Sequence, residues 1–276
     1  MTPVGDALVL AGERDGAPDP LAAQAGVGCK ALVPVAGRPL IAHVLNALMS
    51  AGYERALVSA KDPHELLADA TVKSLYLSGR LAFTPAKPAI LDSVMAAAEQ
   101  ATFPLLVTTA DNALLTAAIL EAFEAGRQAE YADVAVAFAT KAAVLAAHPE
   151  GQRRFYAFRE AEYSNCNLYW LRRPAALQAA RVFRQGGQFA KHPARIVQAF
   201  GLVNLALFSA RAVTLAQLMR RLSRRFRVTV RRVVLADGSA AIDVDNARTH
   251  AIAEALLRRR QAAVVPALEL CAANAR

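Results

Sequence analysis

The residues of this chain best suited to chemistry are carboxylates and cations that follow short apolar runs. Asp111 closes the stretch "PLLVTTADNALL". An ionised carboxylate at the tip of a buried strand is poorly solvated unless it binds something, and a hard oxygen donor there suits Mg2+. Its competing role, capping the next helix, falls better to Thr116. Asp243 and Asp245, in "AIDVDNARTHAIAE", offer two more hard oxygens. Read as a strand end, they alternate, so one points into a site while the other caps the last helix. Oxygen ligands from two distant strand ends, completed by substrate phosphates, are a usual way of holding Mg2+.

The third candidate is the segment Ala11–Lys30, directly after the first apolar run. Gly12, Gly16, Gly26 and Gly28 let a backbone approach a polyphosphate with its N–H groups turned inward. Arg14 and Lys30 add cationic donors for phosphate oxygens. The segment matches neither G-x-x-x-x-G-K-[ST] nor G-x-G-x-x-G, so ATPase and dinucleotide readings lack their motif.

The elements that must place these residues alternate between strand and helix. Ala7–Leu10 reads as a buried strand, and Pro39 opens a helix with Leu40, Val44, Leu45 and Leu48 on one face. Strands are expected at Arg55–Ala60, Leu75–Leu77 and Leu105–Thr109, and in "ADVAVAFAT", with helices at Ile90–Ala101 and Thr116–Arg127 between them. This pattern predicts a three-layer α/β/α sandwich around a mostly parallel mixed sheet. Further on, "CNLYWL" and Arg227–Val234 read as strands, and Pro174–Arg184, Ile196–Phe208 and Thr214–Phe226 as helices. The last helix is expected to close on Arg258, Arg259 and Arg260, cations suited to its negative end. All 276 residues are read as one domain, with 185–226 a helical insertion in its C-terminal half.

Composition narrows the function classes. No apolar run approaches the ~18–20 residues of a membrane span. Three cysteines, Cys29, Cys166 and Cys271, lack metal-ligand spacing and fit a reduced cytoplasm. The net charge of +9 is divided unevenly: residues 1–150 carry 10 Lys/Arg against 16 Asp/Glu, and residues 151–276 carry 22 against 7. The basic half, with "RRLSRRFRVTVRR", suits an anionic small molecule or an anionic membrane surface, and no nucleic-acid motif accompanies it. The apolar stretch 196–222 leaves packing on the sheet, pairing into a homodimer and contact with lipid open. Trp170 reads as core.

Taken together and in order, "LVLAGERDG…CKALVPVAGRPLIAHVLNAL", "LLVTTADNALL", "CNLYWLRRP" and "AIDVDNARTHAIAEAL" resemble the MobA-like NTP transferase superfamily. That group includes molybdenum-cofactor and sugar-phosphate nucleotidylyltransferases. The resemblance implies a nucleotide site of Ala11, Gly12, Glu13, Arg14, Gly16, Lys30, Asp92 and Ser93, with Arg14 and Lys30 on the triphosphate. It implies Mg2+ on Asp111 and on Asp245 or Asp243, and an acceptor side bordered by Asn165 and Asn167. Lys30, Arg14 and Asp111 would carry the catalysis. Glu13 departs from the family, which usually has a second glycine there.

The implied reaction is Mg2+-dependent transfer of NMP from CTP or GTP to a phosphorylated small molecule, with release of pyrophosphate. Two alternatives stand beside it. Glu13 suggests a non-catalytic nucleotide-binding regulator on the same fold. A glycosyltransferase with a nucleotide-sugar donor would place an Asp-x-Asp in mid-chain, where this sequence has the single Asp111.

Overall fold

The computed structural model describes residues 5–12, 19–177 and 201–274, the last eleven by backbone alone. The chain begins with β1 (Ala7–Leu10), α1 (Pro20–Ala25), a 3-10 turn at Lys30–Leu32, and a small hairpin of β2 (Pro34–Val35) and β3 (Arg38–Pro39). Then come α2 (Leu40–Ser50), β4 (Ala56–Ala60), α3 (Pro63–Leu66), α4 (Ala70–Leu77), β5 (Leu81–Pro85), α5 (Ile90–Ala98) and β6 (Leu105–Thr109). The second half runs through α6 (Ala117–Gln128), β7 (Val134–Thr140), α7 (Lys141–Ala147), β8 (Tyr156–Ala157) and β9 (Glu162–Leu171). After residue 200 it continues with α8 (Leu202–Ser209), α9 (Leu215–Phe226), β10 (Val230–Leu235), a 3-10 turn at Gly238–Ala241 and α10 (Ala247–Asn274).

The main sheet, among the described residues, has the order β10-β7-β9-β6-β1-β4-β5, with β8 paired to β9. Strand β9 runs antiparallel to both β6 and β7. The β1–β4, β1–β6, β4–β5 and β10–β7 pairs are parallel. From β1 the chain steps outward to β4 and β5, then returns to lay β6 on the other side of β1. That reversal leaves a crevice beyond the carboxyl ends of β1 and β6, where open α/β sheets bind ligands.

Period-two alternation divides the core into layers. Ala7, Val9, Ala56, Val58 and Leu106 face one way, under α2, α6 and the start of α10. Leu8, Leu57, Leu105 and Val107 face the other, under Val94 and Ala97 of α5. Toward the β10 edge, α9 sets Leu215, Leu218, Met219 and Leu222 against Phe138, Tyr163 and Val230. Its first turn is closed by a capping box between Thr214 and Gln217. The α/β/α sandwich expected from the sequence is present. Trp170 is a core residue, with the Arg127 guanidinium 4.2 Å above its ring. No helix among the described residues is long and apolar enough to cross a membrane.

Four expectations need correction. Leu75–Leu77 lies in helix α4, not in a strand, because the Asp69 side chain accepts from Thr71 and Val72 N–H and starts a helix there. The strand is Leu81–Pro85, at the sheet edge. Asp243 and Asp245 do not alternate on a strand: they follow a 3-10 turn in irregular backbone, and Asn246 caps α10 instead, accepting from Arg248 and Thr249 N–H. Arg258–Arg260 lie within α10, which continues to Asn274. Of the helix expected at Pro174–Arg184, Pro174–Ala176 is a 3-10 turn, and residues 178–184 fall outside the described residues.

Candidate functional site

Lys30 is presented by packing on either side of it. Asp19 caps α1 through Leu21 and Ala22 N–H, and Gly26 ends that helix at φ +67°. Gly26 is thus a helix stop, the left-handed position that glycine takes readily. The chain then turns through a 3-10 turn in which Cys29 and Ala31 are buried, so Lys30 between them points to the rim. Nearer β1, a Cβ on Gly12 would stand 3.0 Å from Ala86 Cβ, so the start of this loop lies against the chain leaving β5. Ala11 and Gly12 open the rim; Glu13, Arg14 and Gly16 fall outside the described residues.

The Lys30 ammonium lies 2.6 Å from Asp111 Oδ2 and 2.9 Å from Asp245 Oδ1. Asp111 follows β6, and its carbonyl accepts from Val244 N–H at 3.0 Å, docking the 242–245 segment onto this strand end. Asp243 and Asp245 therefore converge on the same point rather than diverging. Asp245 N–H and Asn246 N–H both donate to Thr249 Oγ1, which fixes the turn into α10.

Four side chains outside the cluster brace it, and none is evident from sequence patterning. Asn112, fully buried, donates from Nδ2 to the Cys166 carbonyl at 3.0 Å and pins the Asp111 turn to β9. Arg260 donates to the Leu114 carbonyl at 2.8 Å and to Ser239 Oγ at 2.7 Å, bracing the chain on both sides of the site. Earlier in α10, His250 donates to the Pro34 carbonyl and Glu254 accepts from Ala36 N–H, so the same helix grips the hairpin that follows Lys30.

Of the acceptor-side pair, Asn167 joins the cluster: its Nδ2 donates to Asp243 Oδ2 at 2.7 Å. Asn165 sits behind it, donating to Tyr169 Oη at 2.8 Å and accepting from Asn167 N–H at 2.7 Å. Asp92 and Ser93 stand apart. Ser93 Oγ accepts from Lys87 N–H and donates to the Lys87 carbonyl, so its hydroxyl shapes the 87–93 turn.

The electrostatics follow from burial. Lys30 is half-buried, which works against its ammonium, but Asp111 and Asp245 outweigh this and hold its pKa above the ordinary value. Asp243 is driven well above the usual carboxylate range, first by burial and then by the neighbouring charges of Asp111 and Asp245. Two carboxylate oxygens, Asp111 Oδ1 and Asp243 Oδ1, are buried with no hydrogen-bond partner among the described residues. Leaving such an acceptor unsatisfied costs about 1–3 kcal/mol. No three His, Cys, Asp or Glu side chains among the described residues form a ready metal cage. Mg2+ does not need one: it is commonly bound by one or two carboxylates, with waters and substrate phosphates completing its shell. The all-oxygen donor set and the two unpartnered oxygens fit that ion.

Residues 7–225 match the family model of the MobA-like NTP transferase domain. No curated protein matches the chain significantly. Among solved structures, a hypothetical transferase from Thermus thermophilus superposes with a TM-score of 0.74 at 27% identity, covering 91% of this chain and all of that one. The 4-diphosphocytidyl-2C-methyl-D-erythritol synthase of Anaerococcus prevotii gives a TM-score of 0.55 at 8% identity, over 92% of this chain and 97% of its own. A Bacillus anthracis protein titled as a glucose-1-phosphate thymidylyltransferase gives 0.53 at 12% identity, over 90% and 95%. At those identities the last two share the fold.

Proposed function

This chain belongs to the MobA-like NTP transferase family, and we propose that it transfers a nucleotidyl group from an NTP to a phosphorylated small molecule. An oxygen of the acceptor phosphate attacks the α-phosphorus; the new P–O bond forms as the bond to the β-phosphate bridge breaks, and pyrophosphate leaves. Little covalent work falls to the protein in such a transfer, which depends on positioning and on charge neutralisation. The observation that carries the reading is the convergence of Lys30 with Asp111, Asp243 and Asp245 beyond the carboxyl ends of β1 and β6.

In this reading Lys30 turns from the carboxylates to the triphosphate oxygens, joined by Arg14 from the loop after β1. Asp111 and Asp243, with their unpartnered buried oxygens, would hold Mg2+, and Asp245 borders it from the more exposed side. Bound there, the ion would neutralise phosphate charge. The basic C-terminal half supports an anionic acceptor. CTP and GTP are the donors the family resemblance favours, and sugar phosphates, phosphorylated alcohols and molybdopterin are the acceptor classes. The test is pyrophosphate release with all four NTPs against that acceptor panel. Turnover with one donor–acceptor pair, lost in Asp111→Ala, supports the reading; no release from any pair overturns it.

A further inference from the structure

Asn167 has a backbone conformation that asparagine tolerates better than most residues, φ +47°. It lies where the β7–β9 register breaks: Val136 pairs with Tyr169, but Phe138 pairs with Asn165, so β9 bulges through residues 166–168. Bulges commonly re-aim a side chain beside a functional site. Here the bulge is held from both flanks. Asn112 Nδ2 grips the Cys166 carbonyl, and Asn165 Oδ1 accepts from the Asn167 N–H. Asn165 is itself fixed by Tyr169, whose hydroxyl is pushed up to about 12, mainly by burial. The result is a braced backbone that aims one amide at Asp243 Oδ2, 2.7 Å away, and leaves Asp243 Oδ1 buried with no partner among the described residues.

We propose that Asn167 is a positioning residue for Asp243: the left-handed asparagine of the β9 bulge fixes one carboxylate oxygen so that the other is presented to a divalent cation. It acts through Asp243 and does not touch the acceptor. The inference rests on the nucleotidyl-transfer reading, and it reassigns Asn167 from the acceptor side to the support of the cation site. A donor is required at this position. A carboxylate there would set like charges together, and a bare backbone would leave Asp243 free to rotate.

Three variants test this by Mn2+ titration of the full chain, followed by paramagnetic resonance, with and without NTP. Asn167→Gly keeps the left-handed backbone at little steric cost and removes only the amide. It should fold and weaken Mn2+ binding roughly tenfold, the worth of one hydrogen bond to a charged group. Asn167→Asp keeps the shape but not the donor, and should bind Mn2+ at least as weakly. In an Asp243→Ala background, Asn167→Gly should have no further effect. Steady-state kinetics should show Asn167→Gly lowering kcat with the acceptor KM nearly unchanged. The positioning role is overturned by wild-type Mn2+ affinity in Asn167→Gly or Asn167→Asp, or by a raised acceptor KM at unchanged kcat. If the wild-type chain binds no Mn2+ even with NTP, the nucleotidyl-transfer reading fails and the inference falls with it.

Discussion

Lys30 and Asp111, 81 positions apart, are joined by a 2.6 Å ion pair at the point where the connections from β1 and from β6 part toward opposite edges of the sheet. In the free protein one ammonium thus holds two carboxylates that would otherwise repel each other. In the proposed reaction, it would give them up as a cation and a triphosphate bind.

Lys30→Met should lower turnover about 10²–10³-fold, the scale for losing one preorganised charge contact. It should also destabilise the free protein by about 1–3 kcal/mol, because Asp111 loses its partner. MgCl2 should then raise the melting temperature of the variant more than that of the wild type. Equal shifts would show that ammonium and cation do not share the same carboxylates.

The two aspartates of the 243–245 turn should separate in mutation. Asp243→Asn and Asp111→Asn remove charge from buried oxygens and should each cost about 100-fold or more in kcat. Asp245 has a side chain 65% exposed and, among the described residues, ion-paired with Lys30. Asp245→Asn should therefore cost about tenfold, one modest charge contact. A larger loss at Asp245 than at Asp243 would make Asp245 the second ligand.

Gly238→Ala should damage the site from a distance. A Cβ there would lie 2.1–2.3 Å from the backbone of Ala143 and Val144, which cannot yield as a side chain would. The expected cost is about 1–3 kcal/mol or more. Chemical denaturation measures that loss, and reduced Mn2+ affinity in the folded fraction would show that the displaced 238–241 turn carries Asp243 and Asp245 with it.

His43 gives the protein an acid-sensitive point away from the site. Burial chiefly lowers its pKa below the ordinary 6.5, while its Nε2–H donates to the Val35 carbonyl at 2.8 Å. A depressed folded pKa means stability that is present above about pH 6.5 and lost as pH falls through the folded value. His43→Gln, which retains a donor, should flatten that fall in melting temperature. Superimposable pH profiles for the two proteins would rule out His43 as its source.

The sandwich and the Asp111 position were legible because Leu105–Thr109 and Ala7–Leu10 are short apolar runs that stop at small or polar residues. The Asp243/Asp245 pair was legible by type but not by geometry. Alternation implied opposite faces, whereas the backbone after Ala241 is not a strand, and the Asp111 carbonyl dictates its path. Strand Leu81–Pro85 was hidden by its Thr and Pro, which a sheet edge accepts. Asn112, Asn167 and Arg260 carry no local pattern at all; their roles arise from contacts that span 54, 76 and 146 positions.

The grip of α10 on the β2–β3 hairpin and on Leu114 also sets an order in time. A chain emerging from the ribosome can lay down β1, β4, β5 and β6 and present Lys30 and Asp111, but the 243–245 turn and the helix that clamps it come after all the other strands. Domains synthesised at about 5–20 residues per second leave that interval measurable. On the proposed function, cation affinity would then be acquired in one late step, and Mn2+ binding would report completed folding as well as the site.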